Sequence, residues 1–261
     1  MIRAFPTLLR VGFANMVAYR AEIVIWIFST TLPVIMFALW STVARDAPIG
    51  RFTEAKFASY FLAMLVARQL ASVWVVWELN ENIRSGSLSM ALLRPIHPLF
   101  GYAAENLAAM PIRILVLIPI VVLGVSLLPD ISFSSNPLHW LAALWAASAS
   151  WILVFMVQSM IGLTALYTQQ SLGIQDAWFG LWSLLSGYLI PLELMPRVAE
   201  VAHWLPFRAV GGLAVEIVLG HLDGPALAQG LIAQLAWIAI GAISLTAMWP
   251  RAMKRFEAYG S

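Results

Sequence analysis

The stretch Glu78-Leu79-Asn80-Glu81-Asn82-Ile83-Arg84-Ser85-Gly86-Ser87-Leu88-Ser89-Met90-Ala91-Leu92-Leu93-Arg94-Pro95 is a polar connection between two long apolar runs, and it carries a short amphipathic segment of its own. Ser87 has the side chain of a helix N-cap, and Leu88, Leu92 and Leu93 recur at i, i+4 and i+5. Pro95 biases Arg94 away from helical backbone. That leaves about two turns, too few to be stable alone in water, so they need a surface to lie on. Two readings are open. The stretch is either a loop that merely joins two membrane helices or a docking element for another chain.

Composition decides the class. The chain is 61% hydrophobic and 11% charged, against roughly 25% charged residues in ordinary soluble domains. Its mean hydropathy is +0.84. The reading is an all-α polytopic membrane protein. In 261 residues there is room for six or seven spans of about 20 residues and no soluble domain of about 100 residues beside them. Soluble chemistry therefore has to come from a partner. With no cysteine in the chain, disulfide scaffolds, thiolate metal sites and cysteine nucleophiles are excluded. A net charge of +2 gives no argument for nucleic acid.

Residues 1–20 do not have the form of a cleavable signal, because Arg3, Arg10 and Arg20 interrupt the apolar core. As a helix they place Ile2, Phe5, Leu9, Phe13 and Met16 on one side, which suits a helix lying in the membrane interface. Spans are expected at about 23–43, 57–77, 107–128, 138–166, 177–191 and 227–249. Between the fifth and sixth, residues 192–224 carry Glu193, Arg197, Glu200, His203, Arg208, Glu216, His221 and Asp223. Central charges cost about 2.5–3.5 kcal/mol each in a span. The segment is also broken by Pro196, Pro206 and Gly211-Gly212. It reads as an outer hairpin of two short amphipathic helices returning to the membrane surface.

Six spans put both termini on one side. Arg3, Arg10, Arg20, Arg84, Arg94, Arg251, Lys254 and Arg255 share that side, against Arg45, Arg51, Lys56, Arg197 and Arg208 opposite. Positive charge collects on the cytoplasmic face. Both termini and residues 78–97 are therefore expected in the cytoplasm, and residues 192–224 outside.

The order of elements resembles the membrane subunit of type-2 ABC exporters. Residues 81–95 are similar to that family's Ile-x-x-Gly-x-Leu-x-x-x-Leu-Leu-Arg-Pro pattern. Gly187-Tyr188-Leu189-Ile190-Pro191-Leu192-Glu193-Leu194-Met195-Pro196, followed by Leu205-Pro206-Phe207, resembles the segment that opens the family's outer hairpin. The ending Arg255-Phe256-Glu257-Ala258-Tyr259-Gly260 is similar to that of a bacterial subgroup. The resemblance implies a permease in the bacterial cytoplasmic (inner) membrane that pairs with a second copy of itself or a sister permease around a central pathway. It implies an ABC ATP-binding subunit as partner, with ATP and Mg on that subunit. This chain has no Gly-x-x-x-x-Gly-Lys-Ser/Thr loop of its own. By the same resemblance, Ser87 to Arg94 is a coupling helix that sets Leu88, Leu92 and Leu93 in a groove of the ATPase. Glu81, Arg84 and Arg94 make rim contacts, Gly86 allows the tight turn, and Pro95 closes the motif.

Inside the spans, Arg68 stands near the middle of the second, with Gln69 beside it and Ser72 one turn on. A charge at that depth is costly unless it faces water or a partner. It is read either as a cation lining the pathway or as one half of a structural pair with Glu105 or Glu216. Gly187 and Pro191 complete the pathway candidates. Arg113 is expected to snorkel toward the cytoplasm, and Trp178 and Trp182 to anchor the membrane interface. His97, His139, His203 and His221 show no metal-ligand spacing, and no nucleophile stands with its base. A secondary transporter would need two related halves with paired broken helices. A non-transporting scaffold is the other alternative.

Overall fold

Backbone polar groups in lipid must be satisfied within the chain, which leaves helices as the form for apolar runs of this composition. The structure, a computed structural model, describes residues 5–18, 31–45, 47–128, 130–168 and 170–259. Its regular elements are α1 (Phe5–Ala18), α2 (Thr31–Ala44), α3 (Glu54–Leu70), α4 (Val75–Arg84), α5 (Leu88–Leu92), α6 (Pro98–Ala108) and α7 (Met110–Leu127). They continue with α8 (Pro137–Leu163), α9 (Ala165–Thr168), α10 (Leu172–Leu185), a 3-10 turn (Leu192–Leu194), α11 (Pro196–His203), α12 (Gly212–Val218) and α13 (Gly224–Tyr259).

Among the described residues, four stretches are long and apolar enough to cross a membrane: Glu54–Arg84, Pro98–Leu127, Pro137–Thr168 and Gly224–Phe256. They coincide with the second, third, fourth and sixth expected spans, although the third begins nine residues earlier than 107. The other two are not established at span length. Residues 23–30 of the first lie outside the described residues, and the 14 residues of α2 reach about 21 Å, short of the roughly 30 Å hydrocarbon core. The fifth is α10, also 14 residues, shifted toward the N-terminus of the expected 177–191. Residues 1–4 and 19–20 of the expected interfacial helix are likewise outside the described residues. The described part, α1, packs on α6, with Gly12 close against Ala108.

The bundle is built around α3 and α8. Helix α3 is buried without a break from Phe57 to Leu65, covered by α2, α7, α8 and α12. Aromatic stacking fastens its start to the 49–52 turn, with Phe52 and Phe57 5.0 Å apart and Trp40 and Phe57 5.9 Å apart. Helix α8 carries a line of small residues (Ala143, Ala146, Ala147, Ala149, Ser150) on its buried side, so α12 and α13 approach it closely.

Helix α12 differs from the amphipathic surface helix expected there. Gly212, Leu213, Ala214, Val215 and Ile217 are all buried. Gly212 is pressed so close to the Ser186 carbonyl that a Cβ there would overlap the oxygen. The irregular chain leading into α12 has its carbonyls taken by side chains: Trp182 Nε1 donates to the Val210 carbonyl at 2.9 Å, and Gln234 Nε2 to the Ala209 carbonyl at 2.8 Å. Irregular backbone can be buried here because its polar groups are met inside the protein. Trp182 is thus a buried donor, 5% exposed, and not an interfacial anchor.

Candidate functional site

Three features stand out along the Glu54–Arg84 stretch: a cleft at its start, a break within it, and an exposed turn at its end. At that turn Gly86 takes φ +76° with open space around its Cα, a conformation that glycine adopts without strain. Helix α5 follows and ends at Leu92, ahead of Arg94 and Pro95, as the residue pattern requires. Ser87 does not cap it. The Ser87 hydroxyl donates instead to Asn82 Oδ1 at 2.8 Å, tying the turn to α4.

The apolar row of α5 divides. Leu88 is fully buried in the chain's own core, which corrects its expected place on a docking face. Met90, Leu92 and Leu93 are 65%, 37% and 80% exposed. Glu81, Arg84, Arg94 and Pro95 are exposed as well. Spacing alone could not separate these roles, because i, i+4 and i+5 span an arc of about 140°, wide enough to face both inward and outward.

The break lies at 71–74, between α3 and α4. The Ala71 amide still closes the α3 ladder on the Ala67 carbonyl at 3.0 Å. Beyond it, polar side chains from the next span take over. Arg113 Nη1 donates to the Ser72 carbonyl at 2.5 Å, and Asn106 Oδ1 accepts the Trp74 amide at 2.9 Å. Asn106 Nδ2 donates to Glu78 Oε2 at 3.4 Å, and Trp74 Nε1 to Glu78 Oε1 at 2.5 Å. The Arg113 guanidinium covers the Trp74 ring at 4.4 Å. Asn106 is completely buried and Arg113 2% exposed, so Arg113 closes this joint from inside the bundle and does not snorkel. The span that supplies both residues is itself interrupted at Ala109, between α6 and α7, just before Pro111.

Arg68, one turn before the break, meets neither Glu105 nor Glu216. Among the described residues no carboxylate pairs with it. Its guanidinium faces the Trp182 ring at 5.5 Å and lies beside Tyr188, with Nε buried and without a hydrogen-bond partner. Gln69 is 5% exposed with its Nε2 unpartnered, while Ser72 contributes its backbone carbonyl to the joint. Gly187 has φ +87°, and the Tyr60 hydroxyl donates to its carbonyl at 2.8 Å. Pro191 is buried and opens the 3-10 turn. The structure therefore gathers Arg68, Gly187 and Tyr188 in one place, near the break, and leaves Pro191 with the hairpin.

At the other end of α3 is a cleft of about 330 Å3 lined by Arg51, Glu193, His203, Arg208, Glu216 and His221. Glu193 receives Arg51 and, at 2.9 Å, His221 Nδ1. Burial disfavours its charge, but the Arg51 hydrogen bond and the nearby His221 ring outweigh it and hold its pKa below the ordinary glutamate value. Arg208 donates to both oxygens of Glu216, at 3.1 and 2.5 Å. Burial opposes its charge too, and Glu216 more than restores it, raising the pKa. Arg208 Nη1 also lies 3.4 Å from His203 Nδ1, which must then be the acceptor.

Sequence reading missed Asn106, Arg113, Glu78 and Trp74 as a group. The available signal was Asn106 and Arg113 at a spacing of seven, hence on one face, with Pro111 between them.

The family model described as ABC-2 family transporter protein covers residues 34–260. No curated protein and no solved structure matches the chain.

Proposed function

Since the chain belongs to the ABC-2 transporter family and is a permease subunit of an ABC transporter, we propose that it serves as the pathway-forming half of an exporter driven by a separate ATP-binding subunit docked on residues 78–95. Two copies, or one copy and a sister permease, enclose the pathway. Both termini face the cytoplasm of a bacterium, and ATP and Mg are held by the partner.

The observation that carries this reading is the exposed pair Leu92 and Leu93 with Met90, on a turn that glycine and proline fix in place. Clustered apolar side chains left in water at the tip of a short helix are characteristic of helix-in-groove recognition. Glu81, Arg84 and Arg94 ring the patch and set orientation more than affinity. Buried Leu88 anchors the helix to α4 and the core. Arg68, with Gln69, Ser72, Gly187 and Pro191, borders the pathway, where an arginine without a carboxylate favours an anionic or polar group on the cargo.

Co-purification tests the docking. The wild-type chain retains an ATPase subunit stoichiometrically, and the double change Leu92→Asp, Leu93→Asp lowers retention at least tenfold while the permease stays folded. Unchanged retention and unchanged ATP-driven transport in that variant would sink the reading.

A further inference from the structure

The break at 71–74 contains neither glycine nor proline, the usual causes of an interrupted helix. Ala71-Ser72-Val73-Trp74 is a sequence that could continue as helix. What holds it open comes from the neighbouring span, with Arg113 on the Ser72 carbonyl and Asn106 on the Trp74 amide, while Glu78 of α4 bridges Trp74 and Asn106. The two residues from the neighbouring span straddle that span's own interruption at Ala109. Two adjacent spans are therefore jointed at the same level, and side chains of one satisfy backbone groups freed in the other. Helix α4, below the break, runs directly into the exposed turn and packs on α8. Helix α3, above it, carries Arg68 and is enclosed by α2, α7 and α12.

From this geometry we propose that the 71–74 break is a joint through which displacement of α4 at the docking turn alters the setting of α3 and Arg68, and that Asn106 and Arg113 are its positioning residues. A continuous helix would move as one rod. A helix whose interruption is closed by a handful of hydrogen bonds from a neighbour has two arrangements available, bonded across and re-formed as helix, and such discrete alternatives are what coupling between distant sites requires. The ATP-driven part rests on the docking reading above. The existence of the joint does not.

Because the chain lacks cysteine, paired spin labels can be introduced without background. One pair, at Lys56 and Ser85, brackets the break. A second pair, at Leu138 and Ile152 within uninterrupted α8, serves as control. In the permease alone, Asn106→Leu shifts or splits the Lys56–Ser85 distance distribution and leaves the α8 pair unchanged. Asn106→Asp combined with Glu78→Gln, which keeps the acceptor for the Trp74 amide and restores a donor–acceptor pair between positions 106 and 78, preserves the wild-type distribution. In the wild-type complex with its retained ATPase subunit, adding ATP shifts the Lys56–Ser85 distance, and Asn106→Leu reduces that shift at least threefold without loss of the subunit. A distribution identical in wild type and Asn106→Leu overturns the joint. A variant-sensitive distance that ignores ATP makes the break a fixed kink and also overturns it. Failure to retain any ATPase subunit overturns the docking reading, and the resting distributions then decide the joint.

Discussion

The cleft beside Arg51 and the turn at 86–95 lie at opposite ends of the Glu54–Arg84 stretch, and they treat their side chains in opposite ways. In the cleft, charges are closed on one another: Glu193 by Arg51 and His221, and Glu216 by Arg208. At the turn, apolar side chains are left open, with Leu93 80% exposed little more than one helical turn from a fully buried Leu88. Internally paired charges need no visitor, whereas an exposed apolar row in water gains free energy from one. The difference supports the docking proposed for the turn, and it makes the cleft a fastening between the 49–52 turn, the 3-10 turn and α12.

The largest expected effect divides α5 itself. Leu88→Ala removes a fully buried side chain and costs about 3 kcal/mol of stability, measurable as a lowered unfolding temperature in detergent. The same truncation at Leu93 stays within about 0.5 kcal/mol. Equal losses at both positions would break the division of the row into anchor and contact. Next comes the cleft. Arg208→Met leaves the Glu216 carboxylate, 13% exposed and so still partly reached by water, without its hydrogen-bond partner at a cost of about 2 kcal/mol. The accompanying change Glu216→Leu recovers most of that loss. The smallest effect is one of pH. The Glu193 pKa is depressed in the folded protein, so its contribution is present above the ordinary glutamate pKa of about 4.3 and is lost as pH falls through the lower folded value. Glu193→Gln should flatten that part of the stability profile in thermal scans below about pH 5. An unchanged acid limb would remove Glu193 from the fastening.

Much of the bundle is legible in the order of residues. Runs such as 138–166 and 227–249 are apolar over a span's length with few charges, and α8 and α13 occupy them. Gly86 and Pro95 are backbone-specific, so the short helix is confined between them, although it covers only Leu88–Leu92 of the expected Ser87 to Arg94. The break at 71–74 is not legible, because its freed backbone groups are met by Asn106 and Arg113, 32 and 41 positions away. Arg113 illustrates the limit. Read along the chain it is an arginine near the end of a span, free to reach water, whereas in the fold it has the Ser72 carbonyl and the Trp74 ring within reach.

The same limit applies to α12, where Glu216 gives the segment the look of a surface helix. Its carboxylate is absorbed by Arg208, and the glycine that approaches the Ser186 carbonyl lets the remaining faces be buried. By itself the sequence determined that this is an all-helical membrane chain, that it lacks a phosphate-binding loop, and that a short amphipathic helix lies between Gly86 and Pro95. Those properties follow from composition, from the backbone's need for hydrogen bonds in lipid, and from residues with restricted dihedrals, all of which act locally. Only the tertiary structure decided which leucine is buried and which is exposed, where the second span is interrupted, and which charges are closed on partners. Each of those depends on what a distant segment brings within a few ångströms, and no local pattern encodes that.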